Sequence, residues 1–229
     1  VKTWLHLGNG TPDYRSIMAA HHDFYIGDKL IPASRVVICQ QTHSREVHIC
    51  SEADSGAGFG AHPQIAVADG FVTNVPHQYL LIRTADCTPV LFTDKLHRAV
   101  GAVHSGREGT RKNIVGRAVE LLKSEYGIEP GDLCAWIGAG ICVDHYRVNR
   151  AVYDEFHTSL IETGISPGPR DDLKLDIRHC IFQQLIAAGI AFRDIEQDHS
   201  CTFETQGYHS FRRDGTHNRQ INLVGIEYD

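Results

Sequence analysis

The chain has 229 residues, with 22 Lys and Arg against 28 Asp and Glu for a formal net charge of −6, and 42% of its residues are hydrophobic. That length supplies a real core, and the composition excludes wholesale disorder. An acidic balance without clustered Lys and Arg argues against a duplex-DNA or anionic-membrane binder.

No run approaches the roughly 20 apolar residues of a membrane span, and no basic-plus-apolar leader is read at the start. The chain opens at Val1 without an initiator Met, which is read as removal of a few residues ahead of it. Strand-like runs then come in close succession: Arg35–Cys39, Glu46–Cys50, Gly70–Thr73, Tyr79–Arg83, Pro89–Thr93 and Arg98–His104, rich in β-branched and aromatic residues between turn formers. The stretch Ser51–Pro63, with Gly56, Gly58 and Gly60, is the most loop-like internal segment. A helix is predicted over Arg111–Glu125, with Ile114, Ala118, Leu121 and Leu122 on one face, Thr110 as N-cap and Gly127 past its end. A strand over Leu133–Ile137 and a weaker helix over Ala151–Glu162 follow, then a breaker at Ser166-Pro-Gly-Pro-Arg170. A second firm helix over Ile177–Ala188 takes Asp176 as N-cap, carries the stripe Ile177, Ile181, Leu185 and Ala188, and stops at Gly189. Gln220–Tyr228 reads as a closing strand. Strands in series followed by helices predict a mixed α+β, or layered α/β, fold rather than a doubly wound nucleotide-binding sheet. With no long linker, residues 1–229 are expected to form a single domain.

Fifteen histidines against one methionine, and seven cysteines, are the compositional anomalies. Histidine is the commonest metal ligand and titrates near neutrality; most of the fifteen are nonetheless expected to be scattered on the surface. The cysteines at 39, 50, 87, 134, 142, 180 and 201 are odd in number and form no C-x-x-C pair. That pattern argues against a disulfide framework or a zinc ribbon and for a reducing cytoplasm.

The familiar fingerprints are absent. There is no G-x-G-x-x-G or G-x-x-x-x-G-K-[ST], no G-x-S-x-G, no H-E-x-x-H, and no H-x-E paired with P-C-x-x-C. No H-x-H pair exists to build a multinuclear copper cluster, and Met18 is the only thioether for a blue-copper axial position. What remains is three strand ends: Gln40-Gln41-Thr42-His43-Ser44, Arg83-Thr84-Ala85-Asp86-Cys87-Thr88-Pro89 and Gly101-Ala102-Val103-His104-Ser105-Gly106. Strand ends feeding loops fix geometry and leave access. His43, Cys87 and His104 would give zinc three protein ligands and an open fourth position, the catalytic arrangement. Without metal, Cys87 would serve as a nucleophile activated by His104 or His43. The plainer alternative, a buried cysteine and two ordinary strand-end histidines, stays open, because separations of 44 and 17 residues match no local ligand motif.

The segment Ala68-Asp69-Gly70-Phe71-Val72-Thr73, with Leu80-Leu81-Ile82-Arg83-Thr84-Ala85-Asp86-Cys87-Thr88-Pro89-Val90-Leu91-Phe92-Thr93-Asp94, closely resembles the YfiH-type laccase-domain family, whose members carry T-A-D-C-x-P-V-L. Gln41-Thr42-His43-Ser44 is similar to the family's Q-x-H-G, and Ala102-Val103-His104-Ser105-Gly106 to its A-V-H-A-G. Ile137-Gly138 through Tyr146-Arg147-Val148, Cys201-Thr202 with Ser210-Phe211-Arg212-Arg213-Asp214-Gly215, and Leu5-His6-Leu7-Gly8 match further motifs in family order. The resemblance implies a layered α/β/β/α fold with mixed sheets and a metal site at His43, Cys87 and His104. It also implies zinc-dependent phosphorolysis of purine nucleosides (adenosine, inosine, methylthioadenosine) with adenosine deamination alongside. Copper-dependent polyphenol oxidation, the family's first description, remains the alternative, so zinc is the expected metal and copper the second.

Beside the ligands, Asp86 is expected to orient a ligand histidine, take a proton, or make a strand-end hydrogen bond. Gln41, Arg107, Arg212 and Arg213 are expected to contact substrate, the arginines through charge-assisted bonds to phosphate; for one of Arg212 and Arg213, an ion pair with Asp214 is the competing expectation. His48, His97, His145 and His179 are read as structural or exposed. The sequence departs from the family where Gly106 is followed by Arg107-Glu108 rather than Trp-Arg, where His21-His22 stand near the place of the family's Asn-Arg pair, and in a largely missing first segment. Those departures imply a weak or altered phosphorylase. A metal-independent cysteine hydrolase and a catalytically weakened metal-binding module are the remaining alternatives. The partners expected are a purine nucleoside and phosphate, with no nucleic acid and no membrane; the oligomeric state is left open by the sequence.

Overall fold

Apolar-rich runs buried along nearly their whole length build the central strands of two sheets packed face to face. The computed structural model describes residues 1–20, 22–59, 62–168 and 173–228. His21, Gly60 and the last two residues of the 166–170 breaker therefore lie outside the described residues.

In chain order the elements are β1 (Lys2–His6), α1 (Tyr14–Ala20), β2 (Phe24–Ile26), β3 (Lys29–Ile31), β4 (Val36–Val37), β5 (Val47–Ile49), β6 (Gly70–Thr73), β7 (Tyr79–Thr84), β8 (Thr88–Asp94) and β9 (Val100–Ser105). They continue through α2 (Arg107–Arg111), α3 (Ile114–Tyr126), β10 (Leu133–Ile137), α4 (Arg150–Glu162), α5 (Ile177–Ala187), β11 (Ile195–Gln197), α6 (Phe211–Asp214) and β12 (Gln220–Glu227). One sheet is four-stranded in the order β1-β12-β7-β4, the other six-stranded in the order β11-β10-β8-β9-β6-β5. The six-stranded sheet is antiparallel through its centre, with a parallel strand at each edge.

Side chains alternate across each sheet, so Leu80 and Ile82 of β7 face inward while Leu81 faces outward. Between the sheets, Leu80, Ile82, Val224 and Ile226 meet Phe71, Leu91, Val100 and Ala102. The outer face of the six-stranded sheet, with Val72, Phe92 and Val103, is covered by α3, α4 and α5 through residues such as Ala118, Leu122, Phe156, Ile181 and Leu185. The outer face of the other sheet packs Leu81 and Leu223 against Ile17 of α1 and the β2–β3 hairpin. The layered α/β/β/α arrangement with mixed sheets is thus present. Phe71 is fully buried in the inter-sheet layer. Phe71→Ala should destabilise the fold by about 3–5 kcal/mol in denaturant titration, from lost burial plus the cavity left behind.

Two helix expectations need correcting. The segment predicted as one helix from Arg111 is divided: α2 ends at Arg111, and Asn113 adopts a left-handed φ of 58°. Asn113, not Thr110, caps α3, accepting from the Gly116 amide at 3.1 Å. Thr110 is buried with its hydroxyl 2.9 Å from that of Ser105. The Gly127 stop and the Asp176 cap are as expected, with Gly127 at φ 65° and Asp176 accepting from the His179 amide. The run Arg35–Cys39 shortens to β4 because the Ile38 and Gln40 amides bond to Ala57 and Ile65 in the neighbouring loop instead.

Candidate metal centre and active-site cavity

Strand register explains why residues far apart in sequence meet. β8 and β9 pair antiparallel with Thr88 opposite Ser105, which carries Cys87, just before β8, to Gly106, just after β9. β6 and β9 pair with Gly70 opposite Val103, which sets Asp69 across from His104; the His104 amide donates to the Asp69 carbonyl at 2.7 Å. Three neighbouring strands therefore deliver Asp69, His104 and Cys87 to one edge. His43 arrives from the loop between β4 and β5, and its own φ is 61°.

That left-handed residue turns successive amides toward one carboxylate, a small anion nest. Asp69 Oδ2 accepts from the Thr42 amide at 3.0 Å, the Ser44 amide at 2.6 Å and the Ser44 hydroxyl at 2.7 Å. Asp69 Oδ1 accepts from the His43 amide at 3.0 Å and lies 2.8 Å from His104 Nδ1. One buried carboxylate thus fixes the His43 loop and the His104 ring together. Burial alone would raise its carboxyl, but the hydrogen bonds from His104 and Ser44 hold it well below the usual carboxylate range.

His43, Cys87 and His104 offer a nitrogen, a sulfur and a nitrogen that all lie within 4.8 Å of one another. Burial would raise the Cys87 thiol, yet the His104 charge and hydrogen bonds from His104 and His43 bring it down to about 6. The reciprocal holds for His104: burial lowers it, while the Cys87 charge and the Asp69 hydrogen bond raise it to about 9. The donor set is a cysteine sulfur and two imidazoles, with the Asp69 carboxylate fixing one ring, a pattern suited to zinc. Space at the thiol is reserved as well: a Cβ on Gly106 would stand 2.5 Å from Cys87 Sγ and 3.2 Å from His43 Cδ2. These residues fit a three-ligand metal centre.

The centre opens into a cavity of about 510 Å³. Tyr14, Tyr146, Phe211, Ile141 and Ile177 give it apolar surface, while Arg83, Arg107, Arg212, Arg219 and His217 give it polar and cationic surface. Arg212 is pre-set by stacking over Tyr146 at 5.2 Å and by donating to the Arg147 carbonyl at 2.9 Å.

The structure brings most of the sequence candidates to this cavity and removes others from the roles expected of them. Asp86 lines it but does not orient a histidine. Its carboxylate accepts from the Thr202 hydroxyl at 2.8 Å and the Arg212 amide at 2.7 Å, and its φ is 83°. Of its three expectations, the hydrogen bond at a strand end is what the geometry displays; Asp69 holds the histidine. Gln41 borders the cavity, but its side-chain amide is spent on Arg83, donating to the carbonyl at 2.8 Å and accepting from the amide at 2.9 Å. Arg213 does not line the cavity at all. Its guanidinium donates to the carbonyls of Thr202, Phe203 and Tyr208 and pairs with Asp214 at 2.7 Å. Of the two expectations for Arg213, its contacts display the ion pair with Asp214, and its remaining bonds brace the loop. Arg107, shifted by one place from the family pattern, does reach the cavity. His22 is exposed beside Asp23 and outside the cavity lining.

Sequence reasoning missed Asp69 as a functional group, and it missed Arg219, Tyr14 and Tyr146 as cavity walls. For Asp69 the signal was a lone carboxylate immediately ahead of a buried strand. For the others no local pattern exists, since the cavity is assembled by tertiary packing.

Comparison with known proteins agrees with this architecture. The family model described as multi-copper polyphenol oxidoreductase laccase matches residues 4–227. A protein of Corynebacterium glutamicum named purine nucleoside phosphorylase is 30% identical over 222 residues, covering 97% of this chain and 87% of its own. One of Bacillus subtilis with the same description is 29% identical over 83% of this chain and 70% of its own. Among solved structures, YlmD of Geobacillus stearothermophilus superposes with a TM-score of 0.77 at 27% identity, over 86% of this chain and 76% of that one. YfiH of Bacillus licheniformis gives 0.76 at 28% identity, over 85% and 75%. From strand order, site register and these matches together, the chain belongs to the YfiH-type laccase-domain family.

Proposed function

We propose that residues 1–229 form one domain that catalyses zinc-dependent phosphorolysis of purine nucleosides, with adenosine, inosine and methylthioadenosine as the substrate class. The observation that carries this reading is a single cavity that joins the His43–Cys87–His104 donors to an excess of arginine. Among the described residues, four arginines line it against one carboxylate, Asp86. That balance suits an anionic co-substrate and favours pentosyl transfer to phosphate over deamination, which would call for a spare carboxylate to shuttle protons. Relatives carrying the name purine nucleoside phosphorylase support the same activity.

In this account zinc, when bound, supplies a Lewis acid that polarises an oxygen of the reacting partners. The chain does the rest. Arg107 and Arg212 bind phosphate, and Arg219 adds a third cation. Tyr146 and Phe211 offer aromatic surface to the purine. His43 and His104 hold their orientation through Asp69. A cytoplasmic place fits a chain whose seven cysteines are all free, and among the described residues no helix is long and apolar enough to cross a membrane.

Incubation of the purified chain with inosine or adenosine, with and without phosphate, tests the activity. Phosphate-dependent release of free base and ribose 1-phosphate is expected. Ammonia release independent of phosphate, or phenol oxidation with copper as the sole activity, would contradict it. The two neighbouring arginines make a sharper comparison. Arg212→Ala should raise KM for phosphate about 10-fold or more, the loss of a charge-assisted hydrogen bond of about 1.5–3 kcal/mol. Arg213→Ala should leave that KM unchanged and instead lower stability by about 1–2 kcal/mol, since its bonds go to backbone carbonyls.

A further inference from the structure

Two short segments repeat one pattern: Cys142-Val143-Asp144-His145 and Cys201-Thr202-Phe203-Glu204 each place a second metal-capable side chain three residues after a cysteine. Both fold as tight turns. Residues Val143–His145 form a 3-10 turn with Cys142 as its cap, and the His145 amide donates to the Cys142 carbonyl at 3.1 Å. The Glu204 and Thr205 amides close on the Cys201 carbonyl at 3.2 Å and 2.9 Å. Turns of this kind bring positions i and i+3 onto one side. They are docked against each other by a bridge between Gly140 and Cys201, with the Thr202 amide donating to the Gly140 carbonyl at 3.2 Å.

The result is four donors, two sulfurs, a ring nitrogen and a carboxylate oxygen, all within 4.8 Å of one another. His145 Nδ1 stands 3.2 Å from Cys142 Sγ, 3.9 Å from Cys201 Sγ and 3.3 Å from Glu204 Oε1. Bond lengths usual for zinc give tetrahedral edges of about 3.3–3.8 Å for this donor set. The His145 ring is held in place by stacking on Phe203, with centroids 4.4 Å apart and planes 16° from parallel. The Cys142 amide donates to Cys201 Sγ at 3.3 Å, which ties the two turns together at the sulfur. A third cluster, His48, Cys50 and Asp54, brings only three donors together, and Asp54 is engaged in capping Ser51.

We propose that Cys142, His145, Cys201 and Glu204 form a second zinc site, distinct from the His43–Cys87–His104 centre and closed by four protein ligands. With no open position, its role is structural. Binding displaces the thiol protons and ties the two turns together. Those turns flank the cavity: Ile141 and Tyr146 line it, and Thr202 holds Asp86. The ion therefore clamps one cavity wall. The inference is independent of the proposed activity.

The 229-residue chain, stripped with chelator under anaerobic reducing conditions, is titrated with zinc against a chromophoric competitor. Two equivalents are expected for the parent chain, one for Cys87→Ser, and one for the double variant Cys142→Ser, Cys201→Ser. Cobalt loading of Cys87→Ser should give the intense thiolate charge-transfer bands of a tetrahedral two-sulfur site, a readout that stands even if the double variant fails to fold. A Cys87→Ser chain that binds no zinc, or binds cobalt without thiolate bands, overturns the proposal. So does reduced-buffer protein whose intact mass is two hydrogens low from a Cys142–Cys201 disulfide that excludes zinc. A parent chain holding one equivalent, lost only in the double variant, would support this site and count against the His43–Cys87–His104 centre.

Discussion

Cys87→Ser should lower phosphorolysis on the order of 10³-fold and remove the metal from the His43–Cys87–His104 centre while leaving the fold intact. The thiol is brought down to about 6, against its burial, by the His104 charge and hydrogen bonds from both histidines. An anionic ligand is therefore prepared before any metal arrives. A serine hydroxyl of nearly the same size stays protonated, so the centre loses its only anionic donor among the three. Metal polarisation supplies several kcal/mol of transition-state stabilisation, and each 1.36 kcal/mol is about tenfold in rate. Single-turnover rates with metal content measured on the same preparation check both halves, and circular dichroism confirms the fold.

Asp69→Ala should be the most damaging substitution near the cavity, costing about 3–5 kcal/mol of stability together with the centre's metal affinity. The carboxylate is fully buried and accepts from the amides of Thr42, His43 and Ser44, the Ser44 hydroxyl and His104 Nδ1. Truncation strands the buried His104 ring and the part-buried donors of the His43 loop at once. Asp69→Asn keeps the volume but turns an amide donor toward those N–H groups, and should weaken zinc binding about 10–100-fold. The pH dependence has a definite sign. A carboxyl depressed in the folded state contributes stability above its ordinary value of 3.8 and loses it as pH falls below that value. Acid unfolding of the parent chain should therefore include a component below about pH 4 that Asp69→Asn lacks, measured by denaturant titration across pH.

Much of the layered fold was legible because its strands are buried on both faces. Tyr79–Arg83 and Pro89–Thr93 read as strand-like runs between turn residues and fall on β7 and β8. The metal ligands were legible by their position at strand ends and by resemblance, and spacing alone could not join them, because register across three strands is a tertiary fact. Asp69 shows the same limit: it meets His104 across a sheet, 35 residues away. The break between α2 and α3 escaped periodicity because Asn113 adopts a left-handed turn without interrupting the apolar stripe. Arg212 and Arg213 are adjacent on a four-residue helix, yet only one faces the cavity. The Cys142 and Cys201 pairs went unseen because a search for C-x-x-C does not register a cysteine followed by histidine in one segment and by glutamate in the other.

The central claim is that this cavity performs phosphorolysis with a metal held by His43, Cys87 and His104. It is tested most directly by assaying phosphate-dependent base release from inosine before chelation, after chelation, and after restoring stoichiometric zinc. The account predicts loss on chelation and recovery with zinc, with Cys87→Ser inactive throughout. Undiminished turnover in metal-free protein would contradict it and leave a metal-independent cysteine mechanism in its place.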